Sequence, residues 1–71
     1  MALDKKSYRL DAIANLYRAA LYLARGSKET GLGFLEKANK YLSKKIYPKI
    51  ETRKDCLFWA EKILDEYHLL K

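Results

Sequence analysis

One cysteine, one proline, three glycines and one histidine are all that 71 residues contain of these types. Each scarcity excludes something. A lone thiol, Cys56, forms no internal disulfide, and there is no Cys/His cluster for structural zinc. The single histidine, His68, lies about 18 Å from Cys56 by helical rise if both sit on one helix, so one chain assembles no Cys–His pair. Cys56 falls on an apolar arc and reads as a small buried hydrophobe. No run of about 18 apolar residues is present, so no membrane-spanning helix is expected. The chain enters Asp4, Lys5 and Lys6 without the apolar run of a signal peptide, which predicts a cytoplasmic protein with a reduced thiol. Gly31-x-Gly33 lies inside a predicted helix with no strand before it, so it is no phosphate loop. Asp65-x-x-His68 has the spacing of a carboxylate–imidazole metal pair, but matching inward acids are missing from the other helices. His68 reads instead as a helix C-terminal residue that complements the dipole. Together these absences predict no enzyme, no catalytic residue, no cofactor, no metal and no small-molecule substrate.

What is present is an apolar fraction of 49% in a length that fits one domain, residues 1–71. So short a chain buries only about 60% of its unfolded surface. With disulfide and metal excluded, oligomerisation is the remaining way to add core, and a homo-oligomer, most simply a dimer, is expected.

Two punctuation marks divide the chain. Gly26-Ser27 offers a left-handed helix end followed by an N-cap. Tyr47-Pro48 disfavours helix in the residue before proline. Thr52-x-x-Asp55 resembles a capping box, although Pro48 at a first helical position is an alternative start. The pattern predicts an all-α, up-down-up three-helix bundle with helices over about 3–25, 28–45 and 52–70.

The first helix carries an outward stripe of Asp11, Asn15, Arg18, Tyr22 and Arg25. Its apolar arc covers about 200°, wide enough to be contacted on two sides. The second helix places Leu32, Leu35, Ala38, Leu42 and Ile46 on one face, with Gly31 in the middle of it. A glycine there costs about 1 kcal/mol relative to alanine, and close approach to the alanines of the first helix is the expected return. Gly33, on the polar side, has no such reason. The third helix is expected to bury Cys56, Leu57, Trp59, Ala60, Ile63, Leu64, Tyr67 and Leu70, while Phe58 and Leu69 project from its polar face. Phe58 and Leu69, with Leu10, Tyr17 and Leu21 of the first helix, are the candidate protein interface.

The net charge of +6 concentrates around Lys40, Lys44, Lys45, Lys49, Arg53 and Lys54. In an up-down-up bundle, residues 4–11 and 40–55 share one end and hold nine bases against four acids, a net +5. Such a pole, with Lys5, Lys6 and Arg9 assisting, makes a nucleic acid or an acidic protein a candidate partner. The bases are mostly lysine, which suits point-charge contact with phosphates rather than base reading, with Tyr41 and Tyr47 available to stack.

Ala20-x-x-x-Ala24-Arg25-Gly26 followed by Leu35-x-x-Ala38-x-x-x-Leu42 loosely resembles the alanine-rich hairpins of tetratricopeptide and MIT domains. The MIT resemblance extends into Trp59-Ala60-Glu61-Lys62 and so across most of the chain. It implies a three-helix module that binds a peptide helix in a groove.

Overall fold

The computed structural model describes the backbone of residues 5–71 and the side chains from residue 9 onward. These residues form three α-helices, α1 Lys5–Ala24, α2 Lys28–Asn39 and α3 Arg53–Leu70, with no strand among them. The end of α1 follows from Gly26, whose φ of 83° lies in the left-handed region. With Gly26 in that state, its amide donates to Leu23 O at 3.0 Å and the Ser27 amide donates to Tyr22 O at 2.9 Å. These are the paired bonds of a Schellman stop. Ser27 takes the N-cap position of α2 as expected, but its hydroxyl makes no cap bond.

Helix α2 ends at Asn39, well short of the expected residue 45. The cause is the Asn39 side chain. Its Nδ2 donates to Ile46 O at 2.7 Å, and its Oδ1 accepts the Ile46 amide at 2.9 Å. This two-point clamp holds a non-helical strap, residues 40–52, in place of two further helical turns. Leu42 and Ile46 still pack on the core, but from the strap. Helix α3 starts at Arg53 rather than at Pro48. The expected capping box closes: the Asp55 amide donates to Thr52 Oγ1 at 3.3 Å, and the Thr52 amide donates to Asp55 Oδ2 at 3.0 Å.

The direction of α3 corrects the expected topology. Arg9 Nη2 donates to Leu70 O at 3.0 Å, and the Tyr17 and Tyr67 rings lie 5.3 Å apart. The end of α3 therefore lies beside the start of α1. Helix α3 runs antiparallel to α1 and parallel to α2, so the order is up-down-down. The strap makes this possible, because about 18 Å of helix α2 is easily spanned by an extended return of this length.

Helix α1 packs against both α2 and α3, which scarcely meet each other. Its wide apolar arc is thus largely used inside one chain. Leu16 and Leu23 of α1, Leu35 of α2 and Ile63 of α3 are the largest fully buried side chains, joined by Ile50 of the strap. Gly31 meets α1 closely, as expected. A Cβ placed on it would lie 2.7 Å from Leu23 Cγ and 3.2 Å from Ala19 O. Gly33 has open space around it, and nothing in the structure explains it.

Three burial expectations change. Asn15, assigned to the outward stripe, is 5% exposed and accepts a bond from Arg18 Nη1 at 3.3 Å. Tyr22, from the same stripe, stacks on Phe34 with ring centroids 5.4 Å apart. Leu57, assigned to the core, is half-exposed, because α3 presents Cys56, Ala60 and Ile63 to the core instead.

Candidate functional site

The reversal of α3 redistributes the basic residues. Arg9 lies at the end of the molecule where α1 starts and α3 stops, beside Tyr41, Leu42 and Leu70. Lys40 follows the end of α2. Lys44 and Lys45 lie on the strap where it passes Phe58, Trp59 and Lys62 of α3. Lys49 pairs with Glu51 at 3.7 Å, both well exposed. Arg53 lies at the opposite end, in a hollow with Arg25, Gly26 and Lys28 from the α1–α2 turn, and Lys54 follows it. All of these bases are exposed. They do not form one pole; they follow the strap from one end of the molecule to the other. The side chains of Lys5 and Lys6 lie outside the described residues.

The strap and α3 together enclose a hollow of about 480 Å³. Tyr47, which is 76% exposed, and Phe58 flank it, with Lys44, Lys45 and Lys62 around them. Lys62 Nζ lies 5.4 Å from the Phe58 ring centroid, and Phe58 meets Trp59 edge-on at 5.6 Å. Glu66 is the acid on its edge.

The candidate protein interface also divides. Leu10, Tyr17 and Leu21 share a strip of α1, of which Leu10 and Tyr17 are exposed. Phe58 and Leu69 are exposed as well, but on the flank of α3 turned away from that strip. What lies beside the α1 strip instead is a crevice between α1 and α3, about 420 Å³ in volume. Ala20, Ala24 and Ala60 line it with their small side chains, and Tyr17, Leu21, Leu57 and Leu64 form its walls, with Glu61 at the edge. Sequence reasoning missed Leu57 here. Its signal was the spacing Leu57, Ala60, Leu64, which matches Tyr17, Ala20, Ala24 on α1 but reads equally well as ordinary core.

The remaining chemistry is local. Asp55 Oδ2 accepts the amides of Glu51 and Thr52 at 2.9 and 3.0 Å. These two backbone bonds hold its carboxyl below the ordinary value. This is the chemistry of a helix cap. Cys56 is buried and free. Asp65 and His68 are both exposed, with the His68 ring edge-on to Tyr67 at 5.3 Å. Among the described residues no three His, Cys, Asp or Glu side chains gather as metal ligands, and no helix is long and apolar enough to cross a membrane.

Comparisons with protein families, with curated proteins and with solved structures give no match for this chain.

Proposed function

We propose that this chain is a non-enzymatic protein-interaction module that self-associates through its α1–α3 face. The observation that supports this reading is the apolar crevice between α1 and α3. Its alanine lining and leucine and tyrosine walls have the form of a helix-docking seam with one helix missing. Burying it would also add the core volume that so short a chain lacks. A second copy is the first partner to test, by light scattering coupled to size exclusion over a concentration series. The expected result is a mass that rises toward the dimer and a melting temperature that climbs with concentration. Leu57→Lys, at a half-exposed wall position, should shift the equilibrium to monomer while helical content is kept. A monomer mass throughout, with a constant melting temperature, sinks self-association. The MIT-like hairpin would then point to a foreign peptide helix in the same crevice.

A second reading is favoured by the hollow beside the strap. Exposed Tyr47 and Phe58 among Lys44, Lys45 and Lys62 combine stacking faces with phosphate-neutralising charge, the elements of a weakly selective single-strand binder. Fluorescence anisotropy with DNA and RNA oligonucleotides tests it. The parent should bind at low salt, and Lys44→Glu/Lys45→Glu should abolish binding without loss of helix. The slope of log affinity against log salt should fall by about one unit for each lysine removed. An absence of binding by the parent at low salt ends this reading.

A further inference from the structure

The strap segment Lys45-Ile46-Tyr47 has open space on two sides. Toward α3 lies the hollow of about 480 Å³ flanked by Phe58. Toward α2 lies a larger one of about 570 Å³, lined by Leu32, Leu35 and Pro48. Lys45, Ile46 and Tyr47 line both, so they form the wall between the two hollows. Tyr47 is the most exposed aromatic on this wall. Among the described residues no ring is paired with it, whereas Tyr17, Tyr22, Phe58 and Tyr67 each meet another ring. So exposed a ring is nonetheless held in place. Asn39 binds both backbone groups of Ile46, the residue before it, and Pro48, the residue after it, restricts its backbone. A fixed aromatic ring with vacant space on two sides is a stacking platform usable from both. The charge around it is mainly of one sign: Lys40, Lys44, Lys45 and Lys62 line the hollows against Glu36 and Glu66.

We propose that a single-stranded nucleic acid crosses the strap at Tyr47, with consecutive bases in the two hollows and the phosphate between them on Lys45. This rests on the reading of the strap as a nucleic-acid surface, and it specifies the form of nucleic acid and the place where it is held. Lys45 is suited to the bridging phosphate because it lines both hollows, and its exposed Nζ makes only a long bond, 3.4 Å, to Leu42 O. The base on the α3 side also meets Phe58, whose ring already carries Lys62 Nζ at 5.4 Å. The arrangement selects for a single strand. In a duplex each base is covered by its stacked neighbours, and freeing a face for Tyr47 costs unstacking. Lysines acting alone would prefer the duplex, which carries the denser charge. A run of carboxylates would satisfy the lysines and leave both sides of the ring bare.

Fluorescence anisotropy on the full chain tests this with a short single strand, as DNA and as RNA, the same strand with abasic sugars, its duplex, and polyglutamate, all at one low salt concentration. The single strand should bind more tightly than the duplex, and removal of its bases should weaken binding by about tenfold or more. Tyr47→Ala should weaken binding by about thirtyfold and leave the salt slope unchanged, while Tyr47→Phe should bind as the parent does. Lys45→Gln should lower the slope by about 0.7 and keep the preference for a single strand. Circular dichroism checks that the helices remain in each variant. An abasic strand or a duplex bound as tightly as the single strand, or a Tyr47→Ala variant that binds as the parent does, overturns the stacking at Tyr47 and leaves nucleic-acid binding by the lysines standing. Polyglutamate bound as tightly as the single strand assigns the lysines to an acidic protein and overturns both. A parent that binds no strand at low salt also overturns both.

Discussion

Helix α1 meets its two neighbours in opposite ways. Toward α2, the small residue is Gly31, and the space it leaves is filled: Leu23 of α1 reaches to within 2.7 Å of where a Cβ would stand. Toward α3, the small residues are Ala20, Ala24 and Ala60, and the space they leave stays open as a crevice of about 420 Å³. Small side chains at helical spacing are therefore ambiguous by themselves. They mark a tight seam when a large side chain opposes them and an open hollow when none does. One face of α1 is closed by its neighbour, and the other leaves a crevice.

The contrast is broken most severely at its tight side. Gly31→Leu should destabilise by about 3 kcal/mol, at the top of the range for overpacking, because Leu23 is fully buried and has nowhere to retreat. Chemical denaturation measures it, and a variant as stable as the parent would remove the close-contact argument. Asn39→Ala comes next. It strips both partners from the Ile46 backbone and should cost about 2 kcal/mol, with the strap loosened first in hydrogen exchange. At the start of α3, Thr52→Ala should cost about 1 kcal/mol through loss of the cap. The other half of that capping box responds to pH. The folded-state pKa of Asp55 lies below its unfolded value. Its contribution is therefore fully present above the ordinary carboxylate pKa of about 3.9, and it is lost as pH falls through the folded value. Asp55→Asn should flatten that acid limb in melting curves taken from neutral to low pH. The smallest effect belongs to the open side. Ala24→Leu adds bulk to the crevice, yet should change monomer stability by no more than about 0.5 kcal/mol. A loss as large as that of Gly31→Leu would show the two faces to be equally packed and end the comparison.

The legible parts of this fold were those fixed by neighbours in sequence. Gly26 announced its left-handed stop, Thr52 and Asp55 their reciprocal cap, and Gly31 its place amid an apolar face. The end of α2 was not legible. The periodicity of Leu42 and Ile46 continues the helix, and only the reach of Asn39 to Ile46 converts that stretch into a strap. The direction of α3 followed from the same error. A helix running to residue 45 leaves a short turn, whereas one ending at Asn39 leaves enough chain to return along α2. The candidate basic pole depended on that direction, so Arg53 and Lys54 moved to the far end with it. The candidate interface suffered similarly: periodicity located the exposed Phe58 and Leu69, but which flank of α3 they occupy depends on how the third helix docks.

The strap also decides what happens when the chain is cut. Among the described residues it is the longest stretch outside a helix, and it displays Lys44, Lys45 and Lys49 to solvent. A trypsin-like protease therefore finds accessible bonds there and at Arg25 in the α1–α2 turn, while the helical lysines are protected by their backbone geometry. A single nick after Lys45 separates one fragment carrying α1 and α2 from another carrying α3. The two need not part. Helix α1 still holds α3 through its packed face and through Arg9 on Leu70 O, and Asn39 still grips Ile46 across the break. A molecule nicked there is therefore expected to elute as one species in size exclusion and to come apart only under denaturant.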